Sequence, residues 1–293
     1  MLTTASWNRR GWTDARLGAA LTLVCASVAV TFDAWKDIFR IATRDEESSH
    51  IFLVPIVAAW LFWARRRRLR HFRPTESFFG PLAVLLGWVL HSAGDTYLIQ
   101  SFYHAGAIVM AVGCLVTVLG AAVLKEFAPV FLALVFLIPV PARVRHQVAI
   151  PLQTLTAALT AELFNLAGVP VIRSGNMLSV NRNDVEIAEA CNGLRMIFAL
   201  ALAMFAFAFG SPLRTYARVL VLAATPVAAV MCNVVRLVPT VWLYGYYPGD
   251  LAATFHDISG WVMLVVAFLL LLAIVRLLRW ALVPVTEYTL AYD

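Results

Sequence analysis

Within seven residues, Glu189-Ala190-Cys191-Asn192-Gly193-Leu194-Arg195, the chain sets a carboxylate, a thiol and a guanidinium where a polar stretch meets a long apolar run. Ionisable side chains at such a boundary are costly in a membrane and mark chemistry more often than architecture. Two further segments share that placement: Asn233-Val-Val-Arg236 near the end of the next apolar run, and Phe255-His256-Asp257 just before the last. A thiol at a helix N-terminus is biased toward thiolate by the helix dipole, and a neighbouring Arg adds to that field. Cys191 is therefore the candidate nucleophile. His256 suits proton exchange with a thiol or a leaving amine, because imidazole titrates near neutral pH. Arg236 can donate to the oxyanion of a tetrahedral intermediate. The three types make sense together as acyl-transfer machinery. Each alone has a plainer role open to it, as an inert buried thiol, an Arg reaching for headgroups or an interfacial His with local hydrogen bonds. Their common depth is what points to a site. Arg195, one turn after Cys191, can pair with Glu189 or hold a substrate carboxylate. Asn233, one turn before Arg236, can orient it, and Cys232 reads as a packing residue.

The elements that must position these residues follow from composition. The chain has 293 residues, 61% hydrophobic and 14% charged, with mean hydropathy +0.80. That balance belongs to a polytopic membrane protein with no large soluble domain. A spanning helix needs about 20 apolar residues, and such runs recur from Leu17 to Arg276. The first run is followed by Asp and Lys rather than a small-residue cleavage site, so it reads as a retained helix. The net charge of +6 needs no nucleic acid to explain it. Four cysteines, Cys25, Cys114, Cys191 and Cys232, show no Cys-x-x-Cys spacing and no neighbouring His, which argues against structural zinc and a disulfide framework.

The expected fold is all-α, a bundle of about eight transmembrane helices near 17–35, 51–64, 79–95, 101–122, 127–142, 191–210, 217–240 and 258–277. Basic residues orient it. Arg9, Arg10 and Arg16 precede the first span, and Arg65 to Arg68, Arg70 and Arg73 follow the second, so both flanks are expected in the cytoplasm, as are both termini. The chain, 1–293, then reads as one integral-membrane domain with an external platform over 143–190 and catalytic spans over 191–277. Val148, Leu152, Leu155, Leu159, Leu163 and Leu166 recur at helical spacing, which predicts an amphipathic helix lying on the membrane or packed on the bundle. Beyond Gly168, alternation around Asn181-Arg-Asn-Asp184 predicts a small β-hairpin leading into Cys191. No internal repeat is read.

The ordered set of motifs resembles the exosortase/archaeosortase family over roughly residues 46–275. The likeness rests on Ser49-His50-Ile-Phe-Leu-Val-Pro55, Ile138-Pro-Val-Pro141, Arg173-Ser-Gly-Asn176, the Glu189–Arg195 segment, Asn233-Val-Val-Arg236 and His256. It implies a multi-pass cysteine protease or transpeptidase of the plasma (inner) membrane with its active site on the external face. Carried over, Cys191 is the nucleophile, Arg236 the transition-state stabiliser and His256 the general acid/base, with Glu189, Asn192, Arg195, Asn233 and His50 in support. The implied partners are secreted proteins whose C-terminal sorting tail joins a Pro-Glu-Pro-like motif, one transmembrane helix and a basic end. Membrane lipids and an amine or envelope-polysaccharide acceptor complete the set, and no metal or organic cofactor is required. There is no His-Glu-x-x-His and no Gly-x-Ser-x-Gly. The alternative function is a transporter or assembly factor for envelope polysaccharide, in which Arg195, Arg236 and His256 bind an anionic lipid-linked sugar.

Overall fold

Glycines recur every seven residues, Gly80, Gly87 and Gly94 on one helix, then Gly106 and Gly113 on the next, with Gly120 capping its end. Seven residues are close to two helical turns, so each set forms a stripe along one face. In a computed structural model, which describes residues 12–70, 73–186, 193–247 and 249–280, these stripes face each other. A Cβ on Gly87 would stand 2.6 Å from the Met110 amide nitrogen and 2.8 Å from the Gly106 carbonyl oxygen, and one on Gly113 would stand 2.7 Å from the Val84 nitrogen. The glycines let two backbones approach as closely as helices can in lipid.

The chain divides into two units, one of Met1–Pro141, Phe209–Ser211 and Thr289–Asp293, the other of Ala142–Ala208 and Pro212–Tyr288. In the first, α1 (Asp14–Val30) and α2 (Phe32–Arg44) are followed by a 3-10 segment, Glu46–Leu53, that runs into α3 (Val54–Ala64). The glycine-striped pair is α4 (Phe79–Thr96) and α5 (Gln100–Leu119). Two short helices, α6 (Ala122–Glu126) and α7 (Ala128–Ala133), and a 3-10 turn at Leu134–Leu137 follow. A core of Trp12, Val116, Leu119, Val123 and Phe127 ties these ends together.

The second unit begins with α8 (Ala142–Leu166) and continues through β1 (Val171–Ser174), β2 (Met177–Val180) and β3 (Asn183–Glu186) to α9 (Gly193–Gly210), α10 (Thr215–Tyr246) and α11 (Gly249–Trp280). The strands form an antiparallel sheet in the order β1-β2-β3, with Arg173 opposite Leu178 and Leu178 opposite Val185. Leu178, Val180 and Val185 are buried with Ala157, Ala161 and Phe164 of α8 and Leu237 and Val241 of α10. The sheet is therefore held in place by two helices.

Several expectations are corrected here. The hairpin is a three-stranded sheet, because two tight turns reverse the chain, one at Gly175-Asn176 with Gly175 at φ +62 and one at Asn181-Arg182 with φ +51 and +65. A left-handed pair, as at Asn181-Arg182, or a single left-handed glycine at the first turn position, as at Gly175, matches the twist of flanking strands. The first span does not run straight to residue 35: α1 ends at Val30 and α2 leaves at 73°. The Thr31 hydroxyl donates to the Ser27 carbonyl at 2.8 Å and accepts from Trp35 Nε1 at 3.1 Å, which stabilises the corner. Helix α2 carries Asp33, Lys36, Asp37 and Arg40 on one side and buries Ala34, Ile38 and Ala42 on the other, the pattern of an interfacial helix. The fifth expected span is short, α7 followed by a 3-10 turn that ends at Leu137, where Pro139 holds Ile138 in extended backbone (ψ 115). Among the described residues three helical segments are long and apolar enough to cross a membrane, Glu47–Ala64, Gln100–Leu119 and Thr215–Tyr246, and four if the bent α1–α2 pair is one span. The amphipathic helix forms with its Leu stripe outward: Leu155, Leu159 and Leu163 are exposed, while Thr156, Ala157, Thr160 and Ala161 are buried. The small-residue face packs on the sheet and α10.

Candidate functional site

Helix α10 carries a buried polar stripe through an otherwise apolar segment. Asn233, Arg236 and Thr240 recur at spacings of three and four, so they share a face, and all three are buried, Arg236 to 6% exposure. The guanidinium Nη2 donates to Asn233 Oδ1 at 2.9 Å, and the Thr240 hydroxyl donates back to the Arg236 carbonyl at 2.8 Å. Arg236 Nε has no hydrogen-bond partner among the described residues. A buried charge held by one neutral amide retains donors for another acceptor, and leaving such a donor unmatched costs on the order of 1–3 kcal/mol. The geometry is that of a fixed cation with one donor direction unmatched among the described residues.

The surroundings brace that position. Leu237, next to Arg236, is fully buried in the core formed by α8, the sheet and α10. The Phe164 ring lies nearly parallel to Trp242 with centroids 6.4 Å apart. At the C-terminal end of α10 the sheet supplies the missing donors: Asn181 Nδ2 donates to the Gly245 carbonyl at 3.0 Å, and Asn183 Nδ2 donates to the carbonyls of Gly245 at 3.1 Å and Tyr244 at 3.2 Å. Terminal helix carbonyls need such partners. Gly245 is required at that seam, since a Cβ there would meet Val180 Cγ1 at 2.9 Å. On the other edge of the turn pattern, Asn176 accepts from Thr154 Oγ1 at 3.0 Å and donates to Gln153 Oε1 at 3.3 Å. The start of α10 is tied to the end of α9 by Arg218, which donates to the carbonyls of Ala208 at 3.0 Å and Leu213 at 3.3 Å.

Of the residues expected at the site, Arg236 and Asn233 are in contact. Cys191, Glu189 and Asn192 lie outside the described residues. Arg195 and His256 belong to α9 and α11 by their backbones, and their side chains are outside the described set. His50 is in the first unit, in the 3-10 segment before α3, where it is buried and its Nδ1 donates to the Glu47 carbonyl at 3.2 Å. Cys232 is buried, in keeping with a packing role, as is Cys114.

Sequence reasoning missed three polar features. His104 of α5 is fully buried, with Nε2 3.0 Å from Asp37 Oδ2 of α2 and Nδ1 unpartnered among the described residues. Its signal was available as an imidazole inside an apolar run. Thr160, on the buried face of α8, has a hydroxyl without a partner among the described residues. The Asn caps from the sheet to α10 carried no signal in sequence, because they join positions about sixty residues apart. Among the described residues no group of three or more His, Cys, Asp or Glu side chains is arranged to hold a metal ion.

The profile of a family described as transmembrane exosortase fits residues 35–273. No curated protein and no solved structure matches the chain.

Proposed function

The chain belongs to the transmembrane exosortase family, a membership that supports a membrane transpeptidase role in general, and from that premise we propose a thiol mechanism centred on Cys191. The thiolate attacks the scissile carbonyl of a secreted protein's sorting tail, Arg236 donates to the oxyanion, and His256 gives the leaving amine its proton. The resulting thioester on Cys191 is then opened by an amine or by water. The observation that carries this reading is Arg236 itself, buried, held by Asn233 at 2.9 Å and with Nε unmatched among the described residues. An oxyanion is the kind of acceptor such a donor lacks.

Chain connectivity supports the other two assignments. Residues 187–192, which include Cys191, link the end of β3 to the start of α9. Helix α11 packs against α10. Arg236 lies about 15 Å from the C-terminal end of α10 and His256 about 10 Å from the N-terminal end of α11, at 1.5 Å per residue, so in an antiparallel pair they differ by about one turn in depth. We read the sheet as the external platform for the substrate motif, which would add as a strand to the edge strand β3. The proposed topology, with both termini in the cytoplasm, takes α1 as the first span and the broken segment Ala128–Leu137 as the fifth of eight.

The test is Cys191→Ala in cells that also express a secreted protein with a motif, a transmembrane helix and a basic end. Unprocessed substrate is expected to accumulate while the abundance and unfolding midpoint of the variant match the parent. Parental processing by this variant would exclude covalent catalysis at Cys191 and favour a transporter or assembly factor. Reporter crosslinkers belong at Ile172 and Glu186, both exposed; Asn176 and Asn181 are engaged with α8 and α10. Capture of the motif region by the Cys191→Ala protein at either position supports the platform.

A further inference from the structure

A groove of about 570 Å³ lies in the first unit where α1 and α4 begin and α5 ends. Its size is that of a small-ligand site. The three helix ends sit at the edge of apolar runs, the depth at which lipid headgroups meet acyl chains. Arg16 and Glu76 both line it, a guanidinium and a carboxylate in one groove. Arg16 is fixed there by Nη1, which donates to the Pro74 carbonyl at 2.7 Å. The remaining walls are short or apolar: Ala19 leaves room on α1, while Phe78 and Pro81 present hydrocarbon. Phe78 is 81% exposed, an aromatic placed outward at a helix start. The floor is rigid, because Gly80 lies so close to Thr117 that no Cβ could be fitted between them.

We propose that this groove binds the headgroup of a phospholipid carrying a primary ammonium, a phosphatidylethanolamine, with its phosphate at Arg16 and its ammonium at Glu76. Charge complementarity selects the occupant. A purely anionic headgroup would meet Arg16 but be repelled by Glu76, and a trimethylammonium headgroup offers Glu76 charge without an N–H to donate. The apolar walls at Phe78 and Pro81 take the glycerol end of the acyl chains. Bound there, the lipid would brace α1 against the α4–α5 pair at one membrane face.

The experiment is native mass spectrometry of the full chain after exchange into micelles with equal amounts of chain-matched dioleoyl phosphatidylethanolamine, phosphatidylcholine and phosphatidylglycerol. The wild-type protein is expected to retain phosphatidylethanolamine about tenfold over either competitor, a difference of about 1.4 kcal/mol. Glu76→Gln should bring phosphatidylethanolamine down to the level of phosphatidylcholine. Arg16→Gln should lower retention of all three, and Ala19→Trp, which fills the groove, should abolish retention with the unfolding midpoint unchanged. Equal retention of the three lipids by wild type, a preference for phosphatidylglycerol, or a preference that survives both Glu76→Gln and Ala19→Trp would overturn the proposal. So would charge variants that alter only thermal stability, the result expected if Arg16 and Glu76 serve each other. The wild-type comparison stands by itself should a variant fail to fold, and none of its outcomes depends on peptide processing.

Discussion

The α4–α5 pair and the α8–sheet–α10 assembly bury their polar groups in opposite ways. Between α4 and α5 the glycine stripes bring backbones together, and the polar side chains along the seam are satisfied within the pair: Thr117 donates to the Gly113 carbonyl at 2.9 Å and His91 Nδ1 donates to the Tyr103 carbonyl at 2.9 Å; the unmatched His104 Nδ1 belongs to a residue of α5 whose other ring nitrogen meets Asp37 of α2. Around α10 the spacing is set by side chains, and two buried polar atoms, Thr160 Oγ1 and Arg236 Nε, are unmatched among the described residues. Along its length a seam made of backbone contacts has no volume for a ligand, and the groove beside Arg16 opens only at its end. A seam built of side chains can hold donors in readiness, and native proteins keep few such atoms without a purpose.

That contrast can be broken most severely at Arg236. Arg236→Lys keeps the charge but loses the planar fork and its Nε, and processing should fall by about 10²–10³-fold, the usual effect of losing an oxyanion donor. Near-parental turnover at matched abundance would mean that the site uses only the field of the cation. In the glycine seam the largest effect should be on folding. Gly87→Leu is expected to cost about 3 kcal/mol, the upper end of overpacking, read as a lowered unfolding midpoint in detergent. An unchanged midpoint would show that α4 and α5 can separate without penalty, and the contrast would fail.

Asn233→Ala should act more mildly, by freeing the Arg236 side chain. A drop of about tenfold in rate at saturating substrate, about 1.4 kcal/mol, is expected without a matching loss of substrate binding; a change in stability alone would make Asn233 a packing residue. The smallest effects belong to two turns. Leu98 in the first unit and Arg182 in the second both hold positive φ, +56 and +65, a region that side chains reach at a cost of about 1–2 kcal/mol. Leu98→Gly and Arg182→Gly should each raise stability by about 0.5 kcal/mol once the extra freedom of unfolded glycine is subtracted. A gain at Leu98 alone would indicate that the contacts around the Asn181–Asn183 turn already hold Arg182 in place.

Some of this was legible in the sequence because it depends on short-range order. Helix α8 announces itself by leucines at helical spacing, and the Asn181-Arg182 turn by Asn181, a residue type that tolerates positive φ. The turn at Gly175-Asn176 carries the same kind of signal, and counting only the second turn yields a hairpin where three strands stand. The glycine stripes were also present as a spacing of seven, yet each glycine by itself resembles an ordinary break. Proline explains the fifth span: Pro139 and Pro141 lie at the end of an apolar run that hydropathy alone reads as continuous.

The sequence by itself determined the class of molecule, since apolar runs of this length leave the chain no solvent but lipid, and its ordered motifs carried the family. It also placed Asn233 one turn before Arg236, and a helix converts that spacing into contact without outside help. Only the tertiary structure decided that Arg236 is buried with a donor unmatched among the described residues, that its neighbour Leu237 is clamped by a sheet and α8, and that Asn181 and Asn183 cap the far end of the same helix. Those facts depend on segments about sixty or more residues apart closing around one another. Local propensity acts over a few residues, whereas burial and hydrogen-bond satisfaction are settled only when distant surfaces meet.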